Sequence, residues 1–207
     1  IQRDKVANDL AVECARQAQQ HVGMARRLAL SKDARQRRME TLRELISISN
    51  LSGAMATAER LLNLAKKDAE ASAEEKNAAE RLRLLAAYGI EDEKIPNNLR
   101  SEFRQLEENQ KRRNTRALRD GIDRILTDTE SLFRDVLSIQ LATSAPLINT
   151  ELQAEINQRA QETSAEDSVA VLEAIATSRH RLESNVRDLL VMEALCTKLI
   201  VRSRVAV

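Results

Sequence analysis

Between Leu99 and Leu141 the chain runs without a proline, and Leu118, Ile122, Ile125, Leu132, Val136 and Ile139 recur in steps of three, four or seven. That spacing puts them on one side of a 3.6-residue helix, so a single long helix with a bundle-like seam is predicted there. The rest of the chain supports the same class. Its 207 residues include only 4 Gly and 2 Pro and are 1% aromatic, so turn signals and strand-forming side chains are scarce. Ala, Leu, Glu and Arg lose little rotamer freedom in a helix, and the predicted fold is all-α.

Apolar periodicity places the other elements. Val6, Leu10, Cys14 and Ala18, with Ala7 and Ala11 beside them, mark a first helix; Gln20 to Gly23 interrupts it, and Met24 to Leu30 resumes as a short basic helix. Ser31 and Asp33 are candidate caps for a third helix that buries Met39, Leu42, Leu45 and Ile46. Asn50 and Ser52 mark the next start, before Ala54, Ala58, Leu61, Leu62 and Ala65. Ser72 with Glu75 has capping-box spacing, compatible with a fresh helix there or with one long helix whose middle is exposed. Gly89 to Asn98, with Pro96, reads as a surface linker. Gly121 inside the long helix suits close approach by a neighbour. After a break at 143–149 around Pro146, capping-box pairs Thr150/Gln153 and Thr163/Glu166 open a short helix and a last one. The last helix is predicted to align Val169, Leu172, Ile175, Leu182, Val186, Leu189, Leu190, Cys196, Leu199 and Ile200 on one face, before a basic tail with Arg202 and Arg204.

Charge and motifs narrow the function. With 33 basic and 32 acidic residues the net charge is +1, so any nucleic-acid or membrane attraction must be local. No apolar stretch nears the roughly 18 residues that span a bilayer, and a cytoplasmic location is expected, with no membrane partner. Cys14 and Cys196 form no CxxC spacing and read as two buried thiols. Gly23, Gly53, Gly89 and Gly121 lie in no phosphate-binding loop, and His21 and His180 lie in no metal spacing, so no catalytic residue, metal or cofactor is expected. The densest basic run is Lys111, Arg112, Arg113 and Arg116, continuing to Arg119 and Arg124 and flanked by Glu107, Glu108, Asp120 and Asp123. It is a candidate contact patch for phosphates or an acidic surface, though no aromatics are interleaved for base stacking. The chain opens on Ile1-Gln2-Arg3-Asp4 with no methionine, as a piece of a longer polypeptide would.

Three segments in order carry a resemblance. His21-Val22-Gly23-Met24-Ala25-Arg26-Arg27-Leu28-Ala29 resembles the sensor-2 segment of the lid domain in clamp-loader subunits. Gln110 to Arg116, leading to Leu132-Phe133-Arg134-Asp135-Val136-Leu137, resembles the collar helix of delta-prime subunits of the bacterial DNA polymerase III clamp loader. Leu182 to Val186, through Met192 to Leu195, is similar to the closing helix of those subunits and their gamma and tau relatives. The resemblance implies the end of an AAA+ lid over 1–31 and a collar domain over 32–207 that joins subunits into a pentameric ring. It implies Arg26, with Arg27 beside it, as sensor-2 candidates facing a nucleotide or retained at the lid interface. Implied partners are the gamma or tau and delta subunits, with the sliding clamp and primed DNA met indirectly; the subunit is not itself catalytic. Phe133, Arg134 and Asp135 become register or interface candidates, with Arg134 and Asp135 expected in buried or interface hydrogen bonds. Asn185 is open among that role, capping and exposure. Two rivals remain: a free-standing bundle that binds protein or nucleic acid through 111–124, and an enzyme with a pocket of His180, Glu183 and Asp188.

Overall fold

The computed structural model describes residues 6–19, 21–90 and 95–201, and these form an all-helical protein without a strand. Its helices are α1 (Asn8–Gln17), α2 (Val22–Leu30), α3 (Lys32–Ile46), α4 (Leu51–Ala87), α5 (Arg100–Gln140), α6 (Gln153–Glu162), α7 (Ala165–Glu183) and α8 (Asp188–Lys198). Single 3-10 turns at Asn97–Leu99 and Thr150–Leu152 lead into α5 and α6. Among the described residues no helix is long and apolar enough to cross a membrane. Residues 91–94 of the linker and the tail arginines Arg202 and Arg204 lie outside the described residues.

Two compact units result. One comprises Ile1–Leu61 with Ile125–Val207, and the other Leu62–Arg124. In the first, α1 packs on α2, α2 on α3, and α7 on α8. Cys14, Leu28, Ala29 and Ala34 form a small core flanked by Val6, Leu10 and Met24. The largest wholly buried side chains include Leu42, Leu45, Leu132, Ile156, Ile175 and Leu195. Burying each such side chain contributes roughly 1.5–3 kcal/mol, which is what holds these short helices together. Met39, expected inside, is only half-buried, and its neighbour Arg38 is the buried one.

The second unit is an antiparallel pair, α4 from Leu62 and α5 to Arg124. Ala65 meets Gly121, Asn77 meets Gln110 and Arg113, and Tyr88 bonds Glu102, so one strand of contacts climbs as the other descends. A Cβ on Gly121 would stand 3.3 Å from that of Ala65, so the glycine permits the close approach. The two readings of α4 resolve to one continuous helix.

Helix ends follow local chemistry. Ser31 Oγ accepts from the Ala34 N–H at 3.1 Å, and Asn50 Oδ1 accepts from the Gly53 N–H at 2.8 Å, as the sequence suggests. The expected Thr163/Glu166 box instead forms one residue later, between Ser164 and Asp167. Thr163 is drawn inward: its hydroxyl donates to the Arg159 carbonyl and accepts from Gln140 Nε2. Thr150 caps nothing, because a 3-10 turn occupies its place and α6 starts at Gln153 without a side-chain cap.

The expected single last helix is two. Asn185 (φ +59°) stops α7: its N–H donates to the Leu182 carbonyl, and the Val186 N–H reaches back to Arg181 at 3.0 Å. This is a Schellman closure, for which asparagine tolerates the left-handed backbone. Consequently Val186, Leu189 and Leu190, placed on a buried face by periodicity, are exposed by 37–55%.

The same closure ends α4 at Gly89 (φ +64°) and α5 at Ala142 (φ +49°). Alanine carries a Cβ penalty there that glycine does not. Ala142→Gly should therefore raise unfolding free energy by about 1 kcal/mol in urea titrations, whereas Ala142→Val should lower it.

Candidate functional site

Four polar side chains stand in the interior, three of them where the helical stripes call for apolar ones. Arg38 follows Ala34 and precedes Leu42 by one turn; Asp128 lies between Ile125 and Leu132; Asp135 lies between Leu132 and Val136; Asn149 ends the loop after α5. All four are buried, with Asp135 only 1% exposed. Buried polar groups are costly unless satisfied, and these satisfy one another.

Asp135 is the hub. Its carboxylate accepts from the Ile148 N–H at 3.0 Å, the Asn149 N–H at 2.7 Å and Asn149 Nδ2 at 2.8 Å. Asn149 Oδ1 in turn accepts from Arg38 Nη2 at 2.6 Å, while Arg38 Nε donates to Asp128 Oδ1 at 2.8 Å. Ser131 Oγ accepts from Asn149 Nδ2 at 3.2 Å and donates to the Asp128 carbonyl at 2.7 Å. The network joins α3, α5 and the return loop at fixed register.

A second buried cation works on helix ends. Arg159 of α6, 3% exposed, donates to the carbonyls of Ile46, Ile48 at 3.2 Å and Leu199 at 3.0 Å. These carbonyls lie at or just beyond the C-termini of α3 and α8, where helix dipoles place partial negative charge and orphan acceptors. Burial pushes the guanidinium's pKa down, partly offset by Glu162. Sequence reasoning passed over Arg38, Asp128, Asn149 and Arg159; for Arg38, Asp128 and Arg159 the available signal was a charged residue on an apolar stripe, and for Asn149 there was none.

The predicted site residues divide. Phe133 is in the core and Asp135 in the network, but Arg134 is exposed, so the expected buried pair is half realised. Consecutive residues of a helix point about 100° apart, which sends Arg134 outward when its neighbours are buried. With Arg16 it lines a hollow of about 340 Å³ floored by Pro146 and Ile148. Asn185 takes the capping role. Arg26 and Arg27 are exposed on α2, whose N-terminus is capped by His21 Nδ1 accepting from the Met24 N–H at 3.1 Å.

In the second unit, Lys111, Arg112, Arg113 and Arg116 are all exposed. Arg113, however, is engaged on α4, with Nη1 and Nη2 at 2.8 and 2.6 Å from the Glu80 carboxylate and Nη2 at 2.8 Å from Asn77 Oδ1. The pairing holds the Glu80 carboxyl below its ordinary pKa. His180 and Glu183 are exposed at the end of α7, and no group of three or more His, Cys, Asp or Glu among the described residues is placed to hold a metal. Both thiols are buried and free, and burial pushes Cys196 up to about 12, leaving it protonated and unreactive.

One carboxylate pair couples the frame to pH. Gln17 Nε2 bridges Glu13 Oε1 at 3.0 Å and Glu151 Oε1 at 2.7 Å. Glu13 is raised above its ordinary pKa by a hydrogen bond with Glu151, then by burial and by repulsion between the two. A raised carboxyl contributes stability below its unfolded pKa and loses it as pH rises through the folded value. Glu13→Gln should therefore raise Tm at pH 7, and the gain should vanish near pH 4, by differential scanning calorimetry at both values.

Adjacent residues supply the sharper contrast. Asp135→Ala strands two backbone N–H groups and an amide, and should cost about 3–5 kcal/mol in urea unfolding, whereas Arg134→Ala should stay within about 0.5 kcal/mol of the parent.

No family model matches the chain, and neither does any curated protein or solved structure.

Proposed function

We propose that the chain is a lid-and-collar portion, with residues 1–31 ending an AAA+ lid and 32–207 forming the collar, of a clamp-loader subunit of the bacterial DNA polymerase III delta-prime type. Its role is assembly: it joins gamma or tau and delta subunits into the ring that loads the sliding clamp on primed DNA in the cytoplasm, and is not itself catalytic. What supports this is the ordered likeness of three segments together with an all-helical frame whose polar interior is spent on register.

The observation that carries it is the exposed apolar group Val186, Leu189 and Leu190 at the α7–α8 turn. It falls within the third similar segment. An uncovered aliphatic group on a well-fixed frame suits helix packing against a neighbouring subunit, where apolar centres and polar rims supply the binding energy.

The test is a titration of the chain with purified gamma or tau subunits by analytical ultracentrifugation. A stable complex is expected, weakened at least tenfold by Leu189→Glu with Leu190→Glu while circular dichroism stays unchanged. ATP turnover by the chain, or no affinity for any loader subunit, would overturn the reading.

A further inference from the structure

Two groups of cations stand out in the second unit. Arg81, Arg104 and Arg113 are ion-paired, with Glu107, Glu108 and Glu80 respectively. The side chains of Lys66, Lys111, Arg112 and Arg116, like those of Lys67, Lys76, Arg83 and Arg100, are exposed and make no ion pair or hydrogen bond within the described residues. Carboxylates on α4 and α5 thus consume one set of charges and leave the other standing.

Four of the unspent charges are concentrated. Residues 109–119 of α5 contain no Asp or Glu. Lys66 of α4 and Lys111 of α5 line one open hollow of about 450 Å³, with Thr115, one turn beyond Lys111, also on its α5 side. Glu70 and the Arg81-paired Glu107 also line it and moderate the field. Arg112 and Arg116 are one helical turn apart, a rise of about 6 Å, and therefore share a stripe beside Lys111. The basic run read from sequence is so recomposed: Arg113 leaves it and Lys66 joins it.

We infer that this face binds the phosphodiester backbone of nucleic acid. Guanidinium groups match phosphate oxygens in two-point contacts, and ammonium groups add point charge alongside. The exposed large apolar side chains of this unit, Leu82 and Tyr88, lie several turns away on α4 or beyond it, so the patch lacks the apolar centre that a protein interface needs. It also lacks an aromatic platform for bases, so recognition is sequence-independent. The inference uses only residues of this unit and stands apart from the assembly role.

The experiment is fluorescence anisotropy of the whole chain with a labelled oligothymidylate and, separately, a labelled duplex, from about 50 to about 200 mM salt. Four neutralised phosphates give a log–log slope of about −3 on the single strand, somewhat steeper on duplex. Arg112→Gln with Arg116→Gln should weaken binding at least tenfold and flatten the slope by roughly 1.4, while Arg104→Gln, outside the patch, should leave both unchanged. Circular dichroism of each variant monitors the fold. A salt-independent affinity, equal losses in the Arg104 variant, or equally tight binding of an acidic peptide would overturn the inference.

Discussion

A buried carboxylate that accepts from two consecutive backbone amides fixes where the loop returning from the long helix must lie against it. The loop after α5 carries backbone N–H groups that no ladder or helix can satisfy, and burying them unpaired would cost more than the loop's apolar contacts return. Asp135 meets the N–H groups of Ile148 and Asn149, and Asn149 passes the constraint through Arg38 to α3. The charge of Asp135 is never isolated, because Arg38 and Asp128 supply a neighbouring ion pair linked through Asn149 and Ser131. Replacing the Arg38–Asp128 ion pair alone by aliphatic side chains would cost little in net stability, whereas the loop amides need Asp135; what the network defines is one arrangement out of several that amphipathic helices allow.

Arg159 extends the same logic to helix ends. One guanidinium satisfies carbonyls at two helix C-termini that lie far apart in sequence, so α3, α6 and α8 meet at a common point. The interior polar groups of the first unit are therefore committed to geometry, while hydrophobic and cationic side chains are left on the outside. That division is what an interaction module requires: rigid elements present a surface whose shape does not need to be assembled on contact.

Much of this was legible in the amino-acid sequence because apolar periodicity reports burial directly. The span of α5, the caps at Ser31 and Asn50 and the purpose of Gly121 all emerged from spacing alone. Five features did not. The α7–α8 break has neither glycine nor proline, and an asparagine can stand on an exposed helix face as well as in a left-handed cap, so periodicity ran through it. At Thr163-Ser164 two adjacent hydroxyls could each open α7, and the choice depends on Gln140, which is remote in sequence. Arg38 and Arg159 were passed over because a charged residue is ordinarily assigned to solvent; their position on apolar stripes was the contrary signal. The Arg134-Asp135 signature was read as a pair, but helical geometry divides it into an inward hub and an outward side chain. The basic run likewise mixed a structural arginine, Arg113, with exposed ones, a distinction that only the partner on α4 reveals.

Amide hydrogen exchange at Ile148 and Asn149 tests the central role of the Asp135 network most directly. If the carboxylate anchors the loop, both amides exchange only through opening of the first unit, with protection close to that of the Leu132–Val136 core of α5. Exchange at the rate of the exposed neighbours Ser144 and Ala145 would contradict the account.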